Sequence, residues 1–376
     1  MSKKVIGFLN LYNSPNLGPL TEKRTLGSTS FLGRFALMDF PLSCFTNSGI
    51  DGINILVMDN FRSVSKHVGS LKTWVSNTKR EMQNILINEK GIRSPKDNTD
   101  LNCLLQNDWV LLDEKADAAI FLPAHIITQL DLRPVIEQHF ASGADITLVY
   151  SSIEDADKTF STSNIVKIKD GMVTAYKKNN KTVKKANVSL ESYIISQNTL
   201  QMILHNKELI KLKSLKRVIE KFVLTKTVKI QGYEYKGYAR CFDSFKHFVD
   251  YSFELLNYDV FKTLFGKAND KEWPIYTLTH NTPPTIYSDK AKVKNSFVAN
   301  GAVVEGTVEN SIISRYVIIG KGAVIKNSII LTGTYIDPHA KVINAVVDKY
   351  SHIASNGVVE GKDNDPIYLE QGTLIK

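Results

Sequence analysis

A repeat of 17 residues in the C-terminal part of the chain limits the possible folds more than any other feature of the sequence. Three segments align at this spacing, and each carries an asparagine at the same place. The segments are residues 308–323, 325–340 and 342–357, and the asparagines are Asn310, Asn327 and Asn344. Residues 293–302 are similar to a shortened first copy. Inside the repeats, apolar residues return about every six positions, as at Ile319 and Ile325.

This double periodicity predicts a parallel β-helix with three short faces in each coil. β-branched residues would face inward, and small residues, Gly or Asn would form the corners. We therefore expect a left-handed parallel β-helix of hexapeptide repeats over residues 291–376. The aligned asparagines are expected to form ladders at a corner rather than a ligand site.

Residues 1–265 show a different pattern, in which apolar strand-like runs alternate with amphipathic helical runs. The predicted strands are 5–11, 52–58, 118–122, 145–150, 164–168 and 188–195, and the predicted helices are 41–48, 63–68, 101–112, 132–142, 200–206 and 244–256. Such alternation predicts a Rossmann-like α/β domain with helices on both faces of a sheet. Residues 266–290 are expected to be a linker, because the run 281–284 contains two consecutive prolines.

The composition excludes several classes of protein. The longest apolar runs are far shorter than the ~18–20 residues that cross a bilayer, and the predicted location is cytoplasmic. Three cysteines without a C-x-x-C pair predict neither a disulfide framework nor a zinc site. The Lys-rich stretch 177–185 lacks aromatic residues, so it predicts the edge of a hairpin turning at residues 179–180 rather than a nucleic-acid site. A net charge of +9 suits an anionic ligand or an acidic partner.

The first predicted strand runs into a turn, residues 11–17, that has the setting of a phosphate-binding loop but contains no glycine before Gly18. Glycines in such a loop allow backbone N–H groups to approach phosphate closely. The turn therefore raises the question of whether this chain still binds a nucleotide.

Two further stretches carry a resemblance to a known family. Residues 31–50, FLGRFALMDFPLSCFTNSGI, resemble a conserved block of bacterial glucose-1-phosphate adenylyltransferases, also called ADP-glucose pyrophosphorylases. Residues 273–287, WPIYTLTHNTPPTIY, resemble that family's passage into its β-helix. The resemblance implies a nucleotidyltransferase domain before the β-helix. It also implies the family's reaction, in which ATP and glucose 1-phosphate give ADP-glucose and pyrophosphate.

Several positions that carry this chemistry in the family differ here. The family's G-G-x-G-T-R-L loop falls on residues 11–17, so that Asn16 replaces its arginine, and Leu26 replaces a conserved lysine. The two metal-binding aspartates fall on Ala124 and Cys241, which are not hard oxygen ligands for Mg²⁺. We expect no metal site and no catalytic residue, and we expect Asp243 to lie at the surface or at a helix N-terminus.

The resemblance also indicates residual binding positions. In the family's sugar-side motif Ser189 and Tyr193 survive, whereas Glu191 replaces its glycine. In the family's effector region Lys23 and Arg24 match a basic pair that can bind a phosphate or a sugar phosphate. A plain surface pair is the alternative for these two residues.

The resemblance is therefore to the GlgD-type second subunit of this family, a regulatory paralogue that tunes the catalytic subunit. It predicts a non-catalytic or weakly catalytic subunit that works in a hetero-oligomer, for example a heterotetramer, in glycogen biosynthesis. Self-association is also compatible with the sequence. Mg²⁺ and ATP would belong to the catalytic partner, and no cofactor is expected for this chain alone.

Two alternatives stay open at this point. The first is an autonomous nucleotidyltransferase with a rebuilt site that uses Asp243, Glu191 and His125. The second is a stand-alone sensor of sugar phosphates that uses Lys23 and Arg24.

Overall fold

The computed structural model describes residues 3–74, 83–267, 272–363 and 365–376. The strands of the first part are β1 (Val5–Asn10), β2 (Ser30–Phe31), β3 (Phe35–Ala36), β4 (Ile53–Val57), β5 (Gln83–Ile87), β6 (Ala118–Pro123), β7 (Ile126–Thr128), β8 (Ile146–Ile153), β9 (Asn164–Lys169), β10 (Met172–Lys178), β11 (Ala186–Ser196), β12 (Ile230–Glu234) and β13 (Ala239–Cys241). The α-helices are α1 (Pro19–Glu22), α2 (Asp39–Asn47), α3 (Phe61–Val68), α4 (Glu89–Arg93), α5 (Asp100–Gln106), α6 (Trp109–Glu114), α7 (Leu132–Ser142), α8 (Gln197–His205), α9 (Lys207–Ile210), α10 (Leu215–Thr225), α11 (Phe245–Glu254) and α12 (Tyr258–Phe265).

Nine of these strands form one mixed sheet in the order β5-β4-β1-β6-β11-β8-β12-β10-β9. β1 pairs in parallel with β4 and β6, and β11 is antiparallel to β6. These central strands are apolar on both sides because both faces of the sheet are covered. Leu9 belongs to the core on one face and Phe8 to the core on the other, where its ring stacks on Phe121 at 5.0 Å.

The six strands predicted from the sequence are present in this sheet, and the other three strands, β5, β10 and β12, were not among those predicted. The helix predicted over residues 101–112 is wrong, because the chain forms α5 and α6 with a break at Asn107. The hairpin predicted at residues 179–180 is also wrong. β10 pairs with β9, and Asn179 is buried, where its side-chain amide donates to the carbonyl oxygen of Ala156.

The strands of the β-helix follow one another around three faces. They are β14 (Ile286–Tyr287), β15 (Lys292–Lys294), β16 (Phe297–Val298), β17 (Val303–Val304), β18 (Thr307–Glu309), β19 (Ile312–Ile313), β20 (Ile318–Ile319), β21 (Val324–Lys326), β22 (Ile329–Ile330), β23 (Tyr335–Ile336), β24 (Lys341–Ile343), β25 (Ala345–Val347), β26 (His352–Ile353), β27 (Val358–Glu360), β28 (Ile367–Leu369) and β29 (Leu374–Ile375). We name the sheet β14-β17-β20-β23-β26-β29 the apolar face, β15-β18-β21-β24-β27 the charged face and β16-β19-β22-β25-β28 the domain face. The first of these strands, β14, lies within the predicted linker, so the coils begin earlier than expected.

The asparagine ladder has the structure that the repeat predicts. Asn295, Asn310, Asn327 and Asn344 all have positive φ angles between 45° and 49°. Each side-chain amide donates to the side-chain oxygen of the next asparagine, at 3.0, 2.8 and 3.1 Å. The ladder satisfies polar groups at a corner that turns in the left-handed region, which Asn tolerates better than most residues.

The domain face packs against the α/β domain. Ile312, Ile329 and Val346 share one core with aromatic side chains of the first part, such as Phe40 and Phe248. A buried ion pair lies beside this core, where the Arg24 guanidinium donates to both carboxylate oxygens of Asp348, at 2.9 and 2.7 Å. The hydroxyl of Tyr368 donates to the same carboxylate at 2.6 Å. Arg24, which lies just after α1, therefore connects the α/β domain to the β-helix.

Within the described ranges, no helix combines the length and the apolar character that crossing a bilayer requires.

The substitution Arg24→Ala is expected to lower the free energy of unfolding by about 3–5 kcal/mol, because it leaves the Asp348 carboxylate buried without its cation. Urea denaturation followed by circular dichroism measures this change. Lys23→Ala removes the exposed neighbouring charge and is the matched control, for which we expect a change within about 0.5 kcal/mol. Equal destabilisation by the two variants would contradict the assignment.

Candidate functional site

The turn after β1 is filled by its own side chains. Leu11 and Tyr12 occupy two of the family's glycine positions, and both are buried. The Tyr12 hydroxyl donates to the side chain of Asn98 at 3.0 Å, and the Tyr12 N–H donates to the side chain of Asn10 at 3.0 Å. Asn13 takes the positive φ angle of the turn, 57°. The turn therefore holds its shape without glycine, and a backbone donor that could face a phosphate is already bonded.

A buried carboxylate occupies the donors around this turn. Asp100 accepts hydrogen bonds from the side-chain amides of Asn10 and Asn13, at 3.2 and 3.0 Å, and from the N–H of Leu215 at the start of α10, at 3.3 Å. A helix N-terminus and amide donors of this kind form an anion-binding site. Here the chain supplies the anion itself. Burial raises the pKa of Asp100 to about 6, although these hydrogen bonds oppose the shift.

The space left at this position is very small. A volume of about 20 Å³ remains between Asp100, His125, Glu191, Tyr193 and Lys216. That volume holds roughly one water molecule. A phosphate group cannot enter this small space, although a groove of about 580 Å³ lined by Asn13, Ser14 and Lys216 opens beside it.

The two predicted sugar-side residues are engaged within the protein. The Ser189 hydroxyl is buried and accepts a hydrogen bond from the N–H of Glu191 at 3.1 Å. The hydroxyl of Tyr193 lies 2.8 Å from that of Tyr176, and burial raises its pKa. Glu191 has a φ angle of 52°, a conformation that suits the family's glycine at this position. Its carboxylate binds the Lys216 ammonium at 2.6 Å.

The four positions at which the resemblance implies a lost catalytic residue have structural roles in this chain. Leu26, Ala124 and Cys241 are buried apolar side chains, and burial raises the pKa of the Cys241 thiol well above its usual range. The exposed Asn16 accepts from the N–H of Gly18 at 2.7 Å and shapes the start of α1. Among the described residues, no three His, Cys, Asp or Glu side chains are grouped so that they could hold a metal ion. Ala124 and Cys241 themselves offer no oxygen ligand for the Mg²⁺ that the family's reaction requires.

The three residues of the rebuilt-site alternative are only partly brought together. His125 is buried with neither ring nitrogen hydrogen-bonded within the described chain, and its Nε2 lies 3.6 Å from the Glu191 carboxylate. Burial lowers the pKa of His125, although Glu191 opposes this shift. Asp243 instead accepts from the Ser161 hydroxyl at 2.6 Å and pairs with His247. Ser244, not Asp243, caps the start of α11.

Asp243 is thus an inward, structural carboxylate rather than the surface or capping residue that the sequence predicted. Burial alone would raise its pKa, but the hydrogen bonds from His247 and Ser161 lower it below the usual range. The hydrogen bonds from Ser161 and His247 hold both of its carboxylate oxygens in place.

A much larger space lies between the α/β domain and the β-helix. We name it the basic cleft. Its volume is about 840 Å³. The cationic and histidine side chains that line it are Lys23, Arg24, Arg34, Arg62, Lys66, His67, His280, Arg315 and Lys349. Within the part of the chain that the structure describes, the lining contains no Asp or Glu. Several positive side chains of the protein therefore lie together where the two domains meet. Such a cleft attracts anions.

Two residues of the β-helix make the basic cleft a built site rather than a charged surface. Arg315 is buried, and its Nε has no hydrogen-bond partner within the described chain. Burial and the nearby Arg34 lower the pKa of Arg315. Burial and the Arg24 guanidinium lower the pKa of Lys349 to about 8, although Asp348 opposes the shift. Both cations lack a sufficient counter-charge, and a bound anion would supply it.

The predicted effector pair divides between two roles. Lys23 is exposed at the rim of the basic cleft, as an anion-binding residue would be. Arg24 also borders the cleft, but both carboxylate oxygens of Asp348 occupy its guanidinium. The sequence analysis missed Arg315 and Lys349. In the sequence, only their position could have indicated these two residues. Each is a cation that directly precedes a tyrosine, Tyr316 or Tyr350, at a corner of the repeat.

Comparisons with known proteins agree with this architecture. A model of the nucleotidyl transferase family matches residues 15–160. A model of the GlmU-like C-terminal hexapeptide matches residues 284–366. The second match, together with the parallel coils, confirms the predicted left-handed β-helix, and the first confirms the nucleotidyltransferase domain.

The proteins that are similar to this chain over most of its length include GlgD proteins and glucose-1-phosphate adenylyltransferases. The glycogen biosynthesis protein GlgD of Bacillus subtilis (strain 168) is 27% identical over 96% of this chain and 93% of that protein. The protein of the same name from Geobacillus stearothermophilus is 29% identical over 86% of this chain and 84% of that protein. A glucose-1-phosphate adenylyltransferase of Clostridium perfringens (strain SM101 / Type A) is 27% identical over 90% of this chain and 87% of that protein. The chain is thus a relative of the GlgD proteins and the bacterial glucose-1-phosphate adenylyltransferases.

Proposed function

We propose that this chain is a regulatory subunit, non-catalytic or weakly catalytic, of glucose-1-phosphate adenylyltransferase. Its similarity to GlgD proteins and to adenylyltransferases supports a role in glycogen biosynthesis. The observation that carries the regulatory assignment is the Asp100 carboxylate, which takes the amide donors around the first turn. A phosphate group placed against this turn would have to compete with this internal anion for the same donors.

The loss of the metal site supports the same proposal. Metal ions that clamp a transferring phosphoryl group stabilise its transition state by several kcal/mol, and each ~1.4 kcal/mol corresponds to a factor of ten in rate. Ala124 and Cys241 offer no replacement ligand. Turnover by this chain alone is therefore expected to be slower than that of a catalytic paralogue by several orders of magnitude.

The basic cleft supports the regulatory part of the proposal. It joins both domains, it is open to solvent through exposed residues such as Lys23 and Arg62, and the Nε of its buried Arg315 has no hydrogen-bond partner within the described chain. A phosphate or sugar-phosphate effector bound there would contact the α/β domain and the β-helix together. The effector could then change the relative free energies of two domain arrangements and alter the activity of an associated catalytic subunit.

A stand-alone sensor is the second candidate function, because the basic cleft lies within one chain. The autonomous enzyme with a rebuilt site is less well supported. Asp243 is fully paired, Glu191 is bound to Lys216, and His125 is enclosed.

The central test is the formation of ADP-glucose with Mg²⁺ by three samples: the purified chain, a catalytic glucose-1-phosphate adenylyltransferase from the same organism, and their mixture. We expect no turnover by the chain alone and a changed rate or effector response in the mixture. Rapid turnover by the chain alone would contradict the proposal. An unchanged catalytic subunit in the mixture would favour the sensor.

Substitutions in the basic cleft should separate effector binding from association. Arg62→Ala is expected to weaken effector binding to the mixture by roughly ten- to a hundredfold, since the loss of one charged hydrogen bond is worth about 1.5–3 kcal/mol. Lys181→Ala removes an exposed charge outside the cleft and is the control. Co-elution of the two subunits should be unchanged in both variants, and an unaltered response of Arg62→Ala would argue against the cleft as the effector site.

Anion binding to the cleft should depend on pH through Lys349. The folded protein holds this lysine at a pKa of about 8, so it loses its proton as the pH rises through that value. A bound anion favours the charged form, and affinity should therefore fall between about pH 8 and pH 9. Calorimetric titration with sulfate, whose charge is constant in this range, measures the effect.

Lys349→Arg is the matched variant, because its charge persists at high pH. It should retain sulfate binding at pH 9, where the unmodified protein loses it. Equal affinities of the unmodified protein at pH 7 and pH 9 would show that Lys349 does not contribute.

A further inference from the structure

Lys349 lies at the wall of the basic cleft, just after the buried Asp348 and just before the corner residue Tyr350. Among the described residues, three lysines line the cleft. Lys23 and Lys66 are exposed, whereas Lys349 is partly buried. The amino group of Lys349 therefore meets an anion in the cleft in a partly desolvated setting.

The Lys349 amino group has no carboxylate partner within the part of the chain that the structure describes. The acid next to it in the sequence, Asp348, is occupied by other donors. Both of its oxygens accept from the Arg24 guanidinium, one of them also accepts from the backbone N–H of Lys349 at 2.7 Å, and the other accepts from the Tyr368 hydroxyl. The ion pair that would normally keep a lysine protonated is therefore missing at this position.

Positive charge surrounds the same amino group. Burial has the largest effect on the pKa of Lys349, and the Arg24 guanidinium and the Lys66 ammonium act in the same direction, while Asp348 opposes them. Together they lower the pKa of Lys349 to about 8. At pH 7.5 roughly a quarter of such amino groups carry no proton, compared with about one in a thousand at the reference lysine pKa of about 10.4. A desolvated lysine beside another cation is a typical nucleophile.

The rest of the cleft offers binding groups for an anionic reagent. Arg34, Arg62 and Arg315 contribute guanidinium groups to its lining, and its volume of about 840 Å³ is large enough for a small phosphate compound. The Nε of Arg315 has no hydrogen-bond partner within the described chain. Guanidinium groups bind phosphate through paired, charge-assisted hydrogen bonds. The cleft thus combines phosphate-binding groups with an amino group that is available for reaction.

We propose that Lys349 is a site of covalent acylation by acyl phosphates, the mixed anhydrides of a carboxylic acid and phosphoric acid. The cations of the cleft hold the phosphate group. The carbonyl carbon is joined to the phosphorus through one bridging oxygen, so binding of the phosphate brings this carbon close to the Lys349 amino group. The inference rests on the anion binding that the proposed function assigns to the basic cleft.

The reaction is a nucleophilic acyl substitution. The lone pair of the unprotonated Nζ of Lys349 attacks the carbonyl carbon, and a C–N bond forms. The bond between that carbon and the bridging oxygen breaks, and its electron pair leaves on the phosphate. One proton passes from the nitrogen to the released phosphate, so the products are an N-acyl lysine and hydrogen phosphate. The cations that bind the phosphate also stabilise the charge on the leaving oxygen.

Acylation changes the basic cleft without changing the fold. The amide that forms at Lys349 carries no charge, so the cleft loses one cation. The ion pair between Arg24 and Asp348 does not involve the Lys349 amino group and stays intact. The modified chain therefore keeps its domain arrangement but binds a phosphate or sugar-phosphate effector more weakly.

Incubation of the purified full-length chain with acetyl phosphate at pH 7.5, followed by peptide mass spectrometry, tests the proposal. We expect acetylation of Lys349 to exceed that of Lys23 and Lys66 about tenfold or more, because these two share the cleft but are exposed. Lys181, an exposed lysine outside the cleft, should react least. Inorganic sulfate should slow the acetylation of Lys349 and leave that of Lys181 unchanged.

Acetic anhydride is the matched reagent, because it acetylates amino groups but carries no phosphate. With it, the preference for Lys349 over Lys181 should fall about fivefold or more. The pH dependence provides a second measurement. Acetylation of Lys349 should rise with pH and level off above about pH 8, where most of its amino groups have lost their proton, whereas that of Lys181 should continue to rise.

Two substitutions connect the modification to the effector response. Lys349→Arg keeps the positive charge but removes the nucleophile. In the mixture with a catalytic paralogue, treatment with acetyl phosphate should weaken the effector response of the unmodified chain and leave that of Lys349→Arg unchanged. Lys349→Gln, which resembles the acylated side chain, should bind sulfate at pH 7 about tenfold more weakly than the unmodified protein. Thermal unfolding of both variants checks that they fold.

Calorimetry with sulfate separates the failure of this inference from that of the effector site. If sulfate binds but acetyl phosphate modifies Lys349 no faster than Lys181, the acylation site is wrong and the effector site stands. Equal preference for Lys349 with acetyl phosphate and acetic anhydride would also overturn the inference, because the phosphate would not then direct the reaction. If sulfate does not bind, both the acylation site and the effector site are wrong.

Discussion

The buried ion pair between Arg24 and Asp348 is the interaction on which the functional features of this chain depend. It lies beside the apolar contact between the domain face and the α/β domain, where its charges are removed from water. In such a place an unpaired charge is strongly unfavourable, and the two partners must meet. The pair therefore specifies where the β-helix sits, and this placement brings cations from both domains around one cleft.

The same placement explains the unusual chemistry of the basic cleft. Arg24 is neutralised by Asp348, but its positive charge still lowers the pKa of the neighbouring Lys349. Arg315 is buried without a hydrogen-bond partner for its Nε in the described chain. Arg315 and Lys349 of the β-helix face a shared cleft because the α/β domain encloses them together with its own cations.

In the turn after β1, by contrast with the basic cleft, the polar groups are already bonded to one another. Where the family positions backbone donors for a nucleotide, this chain has filled the space with Leu11 and Tyr12 and has supplied an internal anion, Asp100. The hydrogen bonds of the site are satisfied without a ligand, which stabilises the closed turn. The sheet of the nucleotidyltransferase domain and its two cores are complete without a ligand at this turn.

Periodicity by itself determined the β-helix, the asparagine ladder and the positions of the central strands along the chain, because stacked coils and buried strands repeat a local pattern that needs no knowledge of distant residues. The differences at Asn16, Leu26, Ala124 and Cys241 came from the resemblance to the family and not from periodicity. Only the tertiary structure decided that Asp100 accepts the amide donors around the first turn, that Arg24 is paired and that Arg315 and Lys349 line the cleft. These facts depend on contacts between residues up to 324 positions apart, and pairing over such a distance leaves no local periodicity in the sequence.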